Sequence, residues 1–181
     1  MRKLIVLACP ALLAAALVGT ARGADPAVGE LSVEGGKGAV ILEVRGSVLG
    51  RLASGSIVVT DRTPNDHYAE SITGKKIVAE RRLGPAKLLV RGQGLRFRML
   101  GGSYRVAIRG TGIAVSAVGR GHVELDGERL FPWEDTGVYS LDGTDCGMEP
   151  EKCSPLPDDP IRLKLGARPT EGSPRPRDRE R

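Results

Sequence analysis

A single all-β domain, an antiparallel β-sandwich or partly closed β-barrel, is the fold the sequence predicts, and three observations predict it. Apolar and polar residues alternate over short runs: Leu95, Phe97 and Met99 are interleaved with Arg96 and Arg98, and Tyr104, Val106 and Ile108 with Arg105 and Ala107, Arg109 following. Side chains on a strand point alternately to the two faces, so such runs describe half-buried antiparallel strands and not the continuous apolar runs of a parallel sheet. Glycine then cuts residues 86–127 into five runs, at Gly92-x-Gly94, Gly101-Gly102, Gly110-x-Gly112 and Gly119-x-Gly121, and the last run ends on Asp126-Gly127. Finally, the region from Leu31 to Asp61 repeats the theme as three or four strands, with Val40, Leu42 and Val44 alternating with Ile41, Glu43 and Arg45, and Ser56–Thr60 rich in β-branched residues.

Within the meander, Gly101-Gly102 reads as a two-residue hairpin, because both positions tolerate positive φ, and the Gly-x-Gly breaks read as three-residue turns. Phe97, Val106 and Ile108 are expected in the core. Val44-Arg45-Gly46, Val90-Arg91-Gly92 and Ile108-Arg109-Gly110 are three copies of one strand–turn device, but their arginines lie 46 and then 18 residues apart. A solenoid needs a regular period, so a short β-solenoid is the alternative fold and not the first choice. The same glycines do not make a nucleotide fingerprint: Phe97 and Val115 stand where a third glycine belongs, and no helix pattern follows to hold a phosphate.

Residues 1–23 read as a secretion signal, with Arg2 and Lys3, the apolar run Leu4–Val18 and the small-x-small site Ala21-Arg22-Gly23. Residues 24–28 are a linker, 29–166 the β domain, and 167–181 a disordered Arg/Pro-rich tail. About 140 residues suffice for one core. No other run approaches the roughly 20 apolar residues of a membrane helix, so the mature chain is expected to be secreted or extracytoplasmic and envelope-associated.

The net charge of +5 falls to +2 without the signal, and the tail carries a further +2, which leaves the body near neutral. The high pI therefore gives no reason to expect a nucleic-acid partner. Charge is nevertheless segregated: residues 75–121 carry a net +10 and residues 129–160 a net −6.

Cys146 and Cys153 remain after Cys9 leaves with the signal, and an even pair in an exported chain is expected to form a disulfide. Asp61, Asp66, His67 and Glu70 could gather around a hard metal or zinc, although their spacing matches no known site and a solvated polar loop is the plainer reading. No nucleophile elbow or zinc-protease motif is present, and nothing in the chain asks for a cofactor. Carboxylate pairs such as Glu134/Asp135 and Asp142/Asp145 could serve glycoside hydrolysis.

Two binding surfaces are suggested. Arg96, Arg98, Arg105 and Arg109 would form a cationic face on adjacent strands, fit for an acidic envelope polymer, unless the acidic segment Glu134–Glu151 folds over and neutralises it. Trp133 and Tyr139 would form a sugar-stacking platform, unless they plug one end of the fold. The expected function is thus a non-catalytic, exported binding or structural module with a polysaccharide partner, and the alternative is a small hydrolase of wall polysaccharide.

Overall fold

The computed structural model describes residues 28–67, 70–129, 131 and 133–166. The segments read as a secretion signal (1–23) and a tail (167–181) lie outside the described residues. The described residues form eight strands, β1 (Gly29–Asp61), β2 (Ser71–Thr73), β3 (Lys76–Gly84), β4 (Lys87–Met99), β5 (Ser103–Gly127), β6 (Val138–Ser140), β7 (Ser154–Pro155) and β8 (Ile161–Leu165), and one 3-10 turn at Pro150–Lys152. All described pairings are antiparallel, along the path β2-β4-β1-β5-β8; β3 also pairs β4, and β6 bridges β1 and β7. The all-β expectation holds, as an open antiparallel sheet folded on itself.

The unusual feature is strand length. β1 has 33 residues and β5 has 25, several times the common strand of about six residues. At about 3.3 Å per residue, β1 drawn straight would span roughly 110 Å, so it must bend. Its pairing shows how. Gly38 faces Gly110 on one edge and Gly127, 17 residues further along β5, on the other; Leu42 likewise faces Val106 and Val123. From the other side, Gly119 faces both Gly29 and Gly46. A strand that meets the same partner on both edges cannot lie in one flat sheet, so β1 and β5 wind around a shared core.

The bends are made by glycine. Gly92, Gly55, Gly110, Gly38 and Gly127 pair in succession across β4, β1, β5, β1 again and β5 again, and Gly46, Gly119 and Gly29 form a second row. Backbones meet closely along these seams: a Cβ on Gly110 would lie 2.0 Å from the Ser54 carbonyl oxygen, with φ at +146°. Only glycine permits both that approach and that backbone conformation. The seams divide the sheet into two layers. Residues 29–37, 47–54, 93–99 and 111–118 build the first; residues 39–45, 56–61, 87–91, 103–109 and 120–126 build the second, extended by β8.

Alternation then fills the interior. The first layer contributes Leu31, Leu52, Leu95, Phe97 and Ile113, the second Leu42, Ile57, Val106, Ile108 and Leu125, and all belong to one buried cluster. Phe97, Val106 and Ile108 are buried as expected, although Phe97 belongs to one layer and the other two to the opposite one.

Three local expectations are corrected. The Gly-x-Gly units are not turns: Gly92-x-Gly94 lies within β4, and Gly110-x-Gly112 and Gly119-x-Gly121 within β5. Gly101-Gly102 does turn, with φ of 75° and 80°, but it closes no hairpin, because β1 lies between β4 and β5 in the sheet. Leu31–Asp61, read as several strands, is one continuous strand with glycine corners.

Candidate functional site

The larger seam ends in an open groove of about 750 Å³. Its floor is the bare backbone of Gly38, Gly110 and Gly127 beside the small side chain of Ala39. Arg109 and Asp126 flank Ala39 as its cross-strand neighbours on either side, so the pairing register itself places a cation and a carboxylate on the two shoulders. The remaining wall comes from the chain leaving β5, through Glu128, Arg129 and Phe131, and from Asp158.

These walls are fixed by hydrogen bonds. The Gly127 N–H donates to the Pro157 carbonyl at 2.7 Å and the Glu128 N–H to the Lys37 carbonyl at 2.9 Å. Arg129 Nε lies 3.2 Å from Asp158 Oδ1. Lys37 pairs with Glu134, which tethers the segment following Trp133 to β1, and buried Thr136 donates its hydroxyl to the Leu156 carbonyl.

Phe131 and Trp133 stack, with ring centroids 5.1 Å apart and planes 9° from parallel. Both rings face solvent, Phe131 at 53 % and Trp133 at 81 % relative exposure. Exposed, mutually ordered aromatic faces beside carboxylates and guanidinium groups are suited to a ligand with apolar ring faces and hydroxyl edges.

The sequence-predicted residues are distributed differently from expectation. Trp133 takes Phe131 as its stacking partner, whereas Tyr139 sits half-buried on β6 against the core. The four arginines do not share one face. Arg96 and Arg98 lie on β4 in the first layer, opposite Arg51 and Leu49; Arg105 and Arg109 lie on β5 in the second layer, opposite Glu43 and Ala39. All four are exposed.

The acidic segment is held elsewhere. β6 pairs with residues 32–34 of β1, and the Cys146 N–H donates to the Ser32 hydroxyl. Arg105 instead meets Glu43 at 3.1 Å, a carboxylate that also lies 3.3 Å from Arg62 and 3.7 Å from Arg162.

Cys146 and Cys153 form the expected disulfide, their Cα atoms 5.9 Å apart. In the Asp61–Glu70 loop, Asp61 is buried and accepts the Thr63 N–H, and Asp66 accepts the Thr63 hydroxyl. These carboxylates order a turn, and among the described residues no group of three or more His, Cys, Asp or Glu side chains is placed to hold a metal ion. Near the disulfide, the Asp142 carboxyl is lowered to about 2, first by the Ser140 hydroxyl and then by Thr144.

Sequence reading missed Asp126, Glu128, Arg129 and Asp158. Asp126-Gly127 looked like a turn closing the meander; nothing local shows that Gly127 continues a seam begun at Gly92. No helix among the described residues is long and apolar enough to cross a membrane. Compared with protein-family models, curated proteins and solved structures, the chain matches none.

Proposed function

We propose that this chain is an exported, non-catalytic, envelope-associated module that holds a polysaccharide in the seam groove. The observation that carries the reading is the exposed Phe131–Trp133 stack beside a groove whose polar groups are Arg109, Asp126, Glu128, Arg129 and Asp158. Two stacked rings left in water represent apolar area that a sugar face would cover, and the carboxylates accept hydrogen bonds from hydroxyls. The disulfide supports an oxidising compartment, in keeping with the secretion signal read from the sequence.

A pulldown on isolated cell-wall fractions tests this. The mature protein should sediment with wall polysaccharide and Trp133→Ala should not, with unchanged thermal unfolding. Sedimentation that is indifferent to Trp133→Ala would refute the groove. Release of new reducing ends, abolished by Asp126→Asn or Glu128→Gln, would replace the proposal with a hydrolase.

A further inference from the structure

We infer that the ligand is a linear acidic polysaccharide, which leaves the groove and continues over the outer face of the second layer. This rests on the groove reading and adds the charge of the ligand and its path. The pairing registers determine which side chains share that face. Arg91 and Arg109 lie level with Ala39 and Asp126 at the groove. Two residues along the strands comes a row of Leu89, Val58, Ala107 and Ile41, ending in Glu124 and Arg162. Two further along come Lys87, Arg105, Glu43 and Lys164, and the last row pairs Arg45 with Arg120.

The face thus carries eight cations against the three carboxylates Glu43, Glu124 and Asp126. The body of the protein is near neutral, so this surplus is a local concentration and not a share of a general positive charge. Like charges on neighbouring strands repel; Arg105 and Arg162 share Glu43, and the rest of the surplus is spread over β1, β4, β5 and β8, where folding does not require it. Covering them with carboxylates of a polymer removes that repulsion.

The face is continuous with the groove, since Ala39, Arg109 and Asp126 belong to both. From Ala39 to Arg45 is about 20 Å of strand, room for several sugar rings. The row of Leu89, Val58, Ala107 and Ile41 is half-buried and lies between cationic rows, so ring faces can rest on it while acidic groups reach the guanidinium groups on both sides. An anionic membrane fits less well, because the apolar row of this face is only half-buried and flanked by charge, with no large exposed apolar side chain in it.

The test uses the mature chain with polygalacturonate, neutral dextran, inorganic polyphosphate and anionic phospholipid vesicles as probes. Polygalacturonate should bind more tightly than dextran by about tenfold or more and weaken by a similar factor as salt is raised from low to physiological strength. Its affinity should fall both in Arg45→Gln/Arg120→Gln/Lys164→Gln and in Trp133→Ala, with melting temperature unchanged in each. Dextran binding as well as polygalacturonate, still sensitive to Trp133→Ala, overturns this inference and leaves the groove reading standing. Equal binding of polyphosphate or vesicles, indifferent to Trp133→Ala, overturns it in favour of an unselective basic face. Binding of neither polysaccharide removes the groove reading as well.

Discussion

Replacing Gly110 by alanine should be among the most damaging single-methyl additions in the domain. The new Cβ would lie 2.0 Å from the Ser54 carbonyl oxygen and 2.9 Å from the Gly55 Cα, both backbone atoms. Gly110 is held between Gly55 on one side and Gly38 on the other, so the strand cannot swing away. Its φ of +146° adds a conformational cost of about 1–3 kcal/mol for any residue with a Cβ. Forcing a methyl group against packed neighbours adds about 1–3 kcal/mol. The expected loss is about 3–5 kcal/mol, a large part of a stability of about 5–15 kcal/mol. Gly84 is the control: its φ is +152°, but a Cβ there meets nothing within 4 Å. Gly84→Ala should therefore cost only the conformational part. Chemical denaturation followed by circular dichroism measures both. If Gly110→Ala does not accumulate, Gly92→Ala gives an intermediate readout, since its Cβ presses on the Lys76 carbonyl of the edge strand β3, which can move. A Gly110→Ala loss within about 1 kcal/mol of the Gly84→Ala loss would refute the seams as close-packed corners.

Phe97→Ala should destabilise by about 3–5 kcal/mol in the same assay, because Phe97 is buried and its ring fills the space left by the missing side chain of Gly50. A loss under about 1 kcal/mol would mean that the inward face is misassigned. Mass spectrometry of the unreduced mature protein should show the two-hydrogen deficit of the Cys146–Cys153 bridge, and Cys153→Ser should cost on the order of 2 kcal/mol; two free thiols would contradict it. Asp142 has a depressed folded-state pKa, so its contribution is present above the ordinary carboxylate range and lost as pH falls through about 2. Carboxyl NMR should place its midpoint near 2, Ser140→Ala should raise it, and a midpoint at the ordinary value would remove the Ser140 contact.

The fold class was legible because period-two alternation is a local signal. Leu95, Phe97, Val106 and Ile108 could be assigned to the core without knowing which strands pair. The winding was not legible, because glycine writes the same letter for a turn and for a corner. Gly110-x-Gly112 looks like a chain reversal, and only the identity of its neighbours, Gly55 and Gly38, shows that the strand continues through a corner. A signal was nevertheless present. Gly29, Gly38, Gly46 and Gly55 are spaced nine, eight and nine residues apart, and Gly102, Gly110, Gly119 and Gly127 eight, nine and eight. Counting arginines at 46 and 18 hid this half-period of the 17-residue turn.

The groove shared that difficulty. Trp133 and its partner Phe131 were visible as aromatics two residues apart in an acidic stretch, but their place beside a floor at Gly38 depends on contacts across about 90 residues of chain. The arginines failed for a related reason: alternation showed that Arg96 and Arg105 are exposed, but not that β1 separates β4 from β5 and sends the two to different layers.

Trp133 is the only tryptophan in the chain, so emission excited at wavelengths that tyrosine does not absorb reports on the Phe131–Trp133 stack alone. Titrating the protein with soluble wall polysaccharide while recording that emission shows whether a sugar chain occupies the groove beside the stack. A ligand stacked on the Phe131–Trp133 pair should shift the emission to shorter wavelength and shield it from acrylamide quenching, with saturation at the affinity measured independently by calorimetry. Calorimetric binding that leaves the emission and its quenching unchanged would place the ligand away from the groove and contradict the account.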